Sequence, residues 1–84
     1  PTHFAVAIKY DAETSKAPVV LAKGEDYLAQ KIKEAASEHH IEIVENKPLA
    51  RMLYANVDIG QEIPPELYQA VAEILAMVYN MREK

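Results

Sequence analysis

Alternating or continuous apolar positions mark three short segments as β-strands. Residues 4–10 alternate large apolar side chains with small ones, a period-two pattern rich in aromatic and β-branched residues. Because the small face is also nearly apolar, this strand should be covered on both sides. A second strand is predicted over 19–23, directly after Pro18, since proline is tolerated at the first position of a strand. A third is predicted over 41–45.

Apolar residues at helical spacing predict three helices, over residues 25–38, 48–55 and 66–81. Glu25 and Asp26 open the first, where acidic side chains complement the positive end of the helix dipole. Asn46 is placed to cap the second, and Pro48 falls in its first turn, where the missing N–H costs no hydrogen bond.

The last helix is apolar over more than half of its circumference. Two stripes run side by side along it. They comprise Leu67, Val71, Ile74, Val78 and Met81, and Tyr68, Ala72, Leu75 and Tyr79. A helix of this kind is either deeply wrapped by the rest of the domain or presents an exposed apolar patch to a partner.

The order of these elements predicts an α/β fold in one domain, residues 1–84. Strand, helix and strand over 19–45 form a βαβ unit, which should set those two strands parallel with a right-handed crossover. The predicted architecture is therefore a small mixed β-sheet, with three strands in this chain, surrounded by helices.

Composition narrows the classes of function. Of the 84 residues, 50% are hydrophobic and 26% charged, which is typical of a globular domain and argues against disorder. No apolar run approaches the roughly 20 residues of a membrane span. The chain has no cysteine, which excludes disulfides, thiolate metal ligands and a cysteine nucleophile. A net charge of −4 argues against nucleic acid as the main partner.

Candidate catalytic and metal-binding groups are few. His39 and His40 are adjacent at a helix end and point in different directions, so they do not form a metal pair, and no zinc-type ligand spacing involves His3. Gly24 and Gly60 stand alone, so there is no phosphate-binding loop. We expect no metal and no cofactor. A small soluble enzyme remains an alternative that would require a pocket with converging polar groups.

Two binding features are predicted. A loop before the second strand and a stripe of the last helix could form a small apolar recess, from Ala17, Pro18, Ala72 and Leu75. Five cations could gather into a basic patch, from Lys23, Lys31, Lys33, Lys47 and Arg51.

The N-terminal residues Pro1, Thr2 and His3 resemble the last three positions of the Asn-Pro-Thr-His cleavage motif of the FlhB/YscU family, the switch proteins of flagellar type III export gates. The similarity extends along nearly the whole chain. It includes Ala17–Gly24, the Ile43–Tyr54 region, and the Ile59–Glu73 region. Pro1 is then expected to be the product of a cut after an upstream Asn.

The resemblance implies the following function. The chain is the downstream fragment of a cytoplasmic domain that cuts itself, stays bound to the upstream fragment, and lets the export apparatus change from rod and hook proteins to filament proteins. The upstream fragment supplies a fourth strand and a helix leading to a membrane domain. Implied partners are early export substrates, the hook-length control protein, and other gate and export-ATPase components, at the cytoplasmic face of the inner membrane.

The family's chemistry suits these residue types. The Asn side-chain amide attacks its own backbone carbonyl. The competing reaction, in which the backbone N–H of the next residue attacks the Asn side chain, cannot occur because proline has no N–H. Thr2 and His3 would contribute geometry and hydrogen bonding, and the reaction is a single turnover rather than enzymatic catalysis. Alternatives are the equivalent domain of a virulence injectisome, or a stand-alone protein-interaction domain without processing.

Overall fold

The protein is described by a computed structural model that covers residues 2–14 and 16–82. Its elements are two strands, three α-helices and one 3₁₀ turn. In chain order they are β1 (Phe4–Lys9), β2 (Val19–Glu25), α1 (Asp26–Glu38), α2 (Lys47–Asn56), the 3₁₀ turn Pro65–Leu67, and α3 (Tyr68–Arg82). The α/β class is confirmed.

β1 and β2 form an antiparallel pair that runs from Phe4 opposite Glu25 to Lys9 opposite Val19. The register shifts after Ala7, so that Leu21 of β2 has no partner on β1 and forms a bulge. Both α1 and α2 pack against β1. The inner positions of β1 are half-buried along its length, as expected for a strand with cover on two sides.

The outer edge of β2 is closed by an irregular segment rather than by a strand. Val20 donates its N–H to Gln61 and accepts from Gly60, and Ile63 donates to the carbonyl of Pro18 at 2.7 Å. Gly60 has φ +89°, a conformation that glycine adopts without steric cost. The segment therefore satisfies the polar backbone groups of this edge and fixes the loop that enters β2.

The predicted strand over 41–45 is wrong, and with it the parallel βαβ unit. This stretch is irregular chain between α1 and α2. The N–H of Ile41 closes the end of α1 by donating to Ala36, after His40 turns the chain with φ +57°. Ile41 and Ile43 are 56% and 46% exposed. A strand needs a neighbour to accept its hydrogen bonds, and within residues 2–14 and 16–82 this stretch has none.

The helices lie close to their predicted positions. α2 begins as expected, because the Asn46 side chain accepts from the N–H of Leu49 at 3.1 Å and Pro48 stands in the first turn. The segment predicted as a helix from residue 66 opens with the 3₁₀ turn before α3 continues to Arg82. The core joins β2, α2, the 60–63 segment and α3. Its buried members are Val20, Leu49, Leu53, Val57, Ile63, Leu67 and Val71.

The last helix keeps much of its apolar surface exposed. Only Val71 of α3 is fully buried, although Ile74 and Leu75 pack against the core. Tyr68, Met77, Tyr79 and Met81 remain about half exposed. Of the two possibilities raised by the sequence, an exposed apolar face fits this arrangement.

No helix in the described part of the chain combines the length and hydropathy needed to cross a bilayer.

Candidate functional site

The start of α1 holds the residues that follow the motif's proline. The antiparallel pairing of Phe4 with Glu25 is extended by one more bond, from the N–H of Asp26 to the carbonyl of His3 at 2.9 Å. Beyond that point β2 has turned into a helix and offers no further carbonyl to β1. The Asp26 side chain takes over, since its Oδ1 accepts the N–H groups of both His3 and Thr2 at 3.2 Å.

The backbone of Asp26 is in the left-handed region, with φ +45°. Aspartate is one of the few side chains that tolerate this conformation. The turn at Asp26 directly follows the last residue of β2 and begins α1. It also directs the Asp26 carboxylate back towards Thr2 and His3, the residues that precede β1. Pro1 lies outside the described residues.

The two motif side chains are in contact with each other. The Thr2 hydroxyl lies 2.9 Å from Nδ1 of His3, and it donates to that nitrogen or accepts from it according to the tautomer of the ring. The same Nδ1 is 3.8 Å from Oδ1 of Asp26. Thr2, His3 and Asp26 therefore form one hydrogen-bonded surface cluster, with about two-thirds of the His3 side chain exposed.

These contacts favour the charged form of the aspartate. The N–H bonds from Thr2 and then His3 are the main causes that lower the pKa of Asp26 below its usual 3.8. Partial desolvation opposes them and is the weaker effect. Asp26 is thus an anion at any physiological pH.

The four residues predicted to form a recess come together in one open apolar groove of about 470 Å³. α3 contributes one side from Tyr68, Val71, Ala72 and Leu75, which recur at helical spacing. Because Ala72 is small and lies between Tyr68 and Leu75, the helix surface is concave there. The 16–18 loop contributes the opposite side, where Pro18 is held by the bond from Ile63.

The rim of the groove adds two residues that the sequence did not single out for it, Tyr10 and Lys16. Tyr10 follows β1, and Lys16 precedes the Ala17–Pro18 pair. Lys16 is the one charged side chain among the groove's described lining residues. Tyr10 and Tyr68 are both exposed by nearly half, so their rings are available to a bound chain.

Most of the five predicted basic-patch residues are engaged locally. Lys31 lies 3.5 Å from Glu34 and Lys47 4.0 Å from Glu45. The Arg51 guanidinium stands 5.7 Å from the centre of the Phe4 ring. Lys33 is half-buried on α1. A basic patch formed by these residues with Lys23 stays a prediction.

Lys23 has a structural role that the sequence did not indicate. Its Nζ donates to the carbonyls of Tyr54 and Val57 at the end of α2, at 3.0 Å each, and lies 3.8 Å from Asp58. It also stands 5.3 Å from the centre of the Tyr54 ring, which packs on Phe4.

In the described part of the chain, no group of three or more His, Asp or Glu side chains is arranged to hold a metal ion.

Comparison with known proteins identifies the class. A family model described as the FlhB HrpN YscU SpaS Family matches residues 1–78. Solved C-terminal and cytoplasmic domains share the fold. The cytoplasmic domain of FlhB from Shewanella putrefaciens superimposes with a TM-score of 0.91 at 47% identity, covering 99% of this chain and 68% of that one. For the PscU C-terminal domain the TM-score is 0.87 at 38% identity, covering 92% and 98%.

The chain belongs to the FlhB HrpN YscU SpaS family. Two full-length relatives are flagellar biosynthetic proteins FlhB. The Bacillus subtilis protein is 52% identical and the Borreliella burgdorferi protein 54% identical, each over all 84 residues. The chain spans 23% of the length of these relatives.

Proposed function

We propose that this chain is part of the cytoplasmic domain of a flagellar type III export component, and that it binds early export substrates and takes part in the switch from rod and hook to filament proteins. Two relatives that match all 84 residues, at 52% and 54% identity, are named flagellar biosynthetic proteins. The flagellar names of these relatives favour a flagellar domain over the injectisome alternative.

The observation that carries substrate binding is the groove lined by Ala17, Pro18, Ala72 and Leu75. It is concave, mostly apolar, and faces solvent on a helix whose exposed surface is unusually hydrophobic. These are the properties of a site that accepts apolar side chains from an extended or helical segment of another protein. The proposed occupant is an apolar segment of a rod or hook protein.

Substituting Ala72 by Glu tests the groove. Ala72 is exposed, so the larger charged side chain should fill the groove without disturbing the core, and purified rod and hook proteins should bind at least about tenfold more weakly. The matched control is Ala76→Glu, an exposed alanine one turn further along α3 that does not line the groove. A second variant, Leu75→Glu, probes the same surface at a more buried position.

The result to look for is loss of binding in Ala72→Glu with a circular dichroism melt like that of Ala76→Glu. If Ala72→Glu binds as well as the native protein, the groove is not the substrate site. If both variants lose binding equally, the cause is the added charge on α3 and the groove has no specific role.

The second part of the proposal is self-cleavage before Pro1. The side-chain nitrogen of an upstream Asn attacks its own backbone carbonyl carbon, forming a succinimide. The bond to the Pro1 nitrogen breaks, and the proton lost by the amide goes to that nitrogen, which leaves as a secondary amine. No co-reactant is consumed. The family's Pro-Thr-His residues and the cluster of Thr2 and His3 with Asp26 support this reaction.

Intact masses under denaturing conditions test it. The full-length protein is compared with a variant in which the Asn before Pro1 is replaced by Ala. Two fragments from the native protein, one beginning at Pro1, and a single uncut chain from the variant are the expected results. A single uncut chain from both would overturn the cleavage proposal and leave the binding proposal to stand on the groove alone.

Open backbone edges support the proposed binding of an upstream fragment. One edge of β2 is covered by the 60–63 segment, whereas the far edge of β1 pairs with no strand among the described residues. The exposed Ile41 and Ile43 lie in a stretch with strand-like alternation that lacks a partner. A strand from the upstream fragment would satisfy such open edges. The hook-length control protein, the other gate components and the export ATPase remain proposed partners, and the inner-membrane face the proposed location.

A further inference from the structure

Asp26 makes a set of contacts that a helix-opening acid does not normally make. Its N–H continues the β-ladder to His3, and its Oδ1 accepts both remaining free N–H groups of the segment, those of His3 and Thr2. These partners lie 23 and 24 residues away in sequence. The side chain therefore fixes the backbone two and three positions after the bond that the proposed reaction breaks.

We call the hydrogen bonds from the N–H groups of Thr2 and His3 to the Asp26 carboxylate the clamp. The geometry of the turn allows only residue 26 to make these bonds. β2 ends at Glu25, so the backbone cannot offer Thr2 a further carbonyl. The φ of +45° at Asp26 swings its carboxylate over the β1 side of the turn. A side chain without an acceptor oxygen at this position would leave the Thr2 N–H to solvent, and the two residues after Pro1 would be held by one backbone bond only.

We propose that Asp26 is a positioning residue for the self-cleavage reaction: by accepting the N–H groups of Thr2 and His3, it holds the leaving side of the scissile bond in the orientation required for attack by the upstream Asn. The inference rests on the proposed function, since it assigns a residue to that reaction. Asp26 touches no reacting atom and acts through the backbone of its two partners. Restricting the leaving segment raises the fraction of chains in a reactive geometry.

Two substitutions separate the carboxylate from the backbone conformation. Asp26→Gly removes the acceptor and adopts φ +45° at no steric cost. Asp26→Asn keeps an oxygen at the Oδ1 position and also tolerates this conformation, but its neutral oxygen is a weaker acceptor. Both are introduced into the full-length protein. Cleavage is followed by pulse labelling and denaturing gels, as the time for half of the new chains to be cut.

We expect Asp26→Gly to lengthen this half-time about fivefold or more, and Asp26→Asn to fall between Asp26→Gly and the native protein. Melting temperatures are compared after the upstream Asn has been replaced by Ala, so that no cutting interferes. Asp26→Gly should lose only the modest stabilisation from the carboxylate, and all three proteins should be fully folded at the temperature of the cleavage assay. A purely conformational role of residue 26 would give the opposite order, because glycine would then cut as fast as the native protein or faster. That order overturns the inference.

A second readout follows the contacts themselves. In the cleaved protein, amide hydrogen exchange at Thr2 and His3 should be fast in Asp26→Gly and slowed in the native protein and Asp26→Asn. Ala5, which pairs with Gly24 and whose N–H faces β2, should stay protected in all three. Equal exchange at Thr2 and His3 in all three proteins would also overturn the inference. If the native full-length protein is not cut at all, the proposed self-cleavage itself fails, which is a different result from normal cutting in Asp26→Gly.

Discussion

Replacing Lys23 by Met should destabilise the domain more than any other single loss of charge described above. The Lys23 side chain is only 20% exposed, and its ammonium bridges two carbonyls at the end of α2. Met keeps the length and apolar stem of the side chain and removes only the charge and its donors. The carbonyls of Tyr54 and Val57 would then lose their partners beneath β2.

The magnitude follows from these contacts. A hydrogen bond from a charged group contributes about 1.5–3 kcal/mol net. The two bonds share one ammonium, so they do not add in full, and the favourable interaction with the negative end of the α2 dipole contributes about 0.3–1 kcal/mol more. We expect the free energy of unfolding to fall by about 2–3 kcal/mol, which lowers the melting temperature by roughly 10–20 °C in a domain of this size.

Urea titrations followed by circular dichroism measure this loss directly. The midpoint should fall while the slope with denaturant stays the same, because the surface exposed on unfolding hardly changes. The control is Lys31→Met, which removes a half-exposed cation paired with Glu34 and should change stability by less than about 1 kcal/mol. Equal, small losses in both variants would show that the burial cost of Lys23 cancels its bonds and would refute the reasoning.

Three further predictions concern single positions. Gly24→Ala should lower stability by about 1–3 kcal/mol in thermal melts, because a Cβ there would lie 2.6 Å from Cγ of Leu28 and force α1 away from β2. Ile63→Ala should lower it by about 2–5 kcal/mol, since Ile63 is fully buried and links the 60–63 segment to the core; a loss below 1 kcal/mol would mean that the site collapses around the smaller side chain. Because the folded-state pKa of Asp26 is lowered below 3.8, its stabilising contribution is present above that value and is lost as the pH falls through the folded pKa. Asp26→Gly should therefore flatten the decline of stability below about pH 4 in urea titrations at several pH values, and an unchanged decline would contradict this assignment.

Local patterns predicted the elements that depend on local interactions. The stripes of α1, α2 and α3 and the cap at Asn46 are properties of neighbouring residues, so they were readable from spacing. The segment 41–45 has the alternation of a strand, but whether it pairs is decided by a second strand elsewhere. The recess residues Ala17 and Ala72 could be grouped because an apolar loop was predicted to lie beside a last helix that is apolar over more than half of its circumference.

The contacts of Asp26 and Lys23 could not be read in the same way. An acid at a helix start is normally explained by the helix dipole, and nothing in the spacing indicates that Asp26 has a positive φ or reaches Thr2 across 24 residues. From the sequence, Lys23 was predicted only as one of five cations in a surface patch. Its partners are backbone carbonyls 31 and 34 residues away, which carry no side-chain signal.

The two proposed sites occupy opposite ends of one strand pair, and this arrangement separates their functions. The clamp at His3 and Asp26 adjoins Phe4, the first residue of β1. The groove begins at Tyr10, directly after Lys9, the last residue of β1. Six strand residues at about 3.3 Å each place them roughly 20 Å apart. No residue is shared between them, so a variant that blocks cutting leaves the lining of the groove intact. Any effect of cleavage on substrate binding must then pass through a movement of β1 against β2 or through the release of a partner, and not through a change in the residues that touch the substrate.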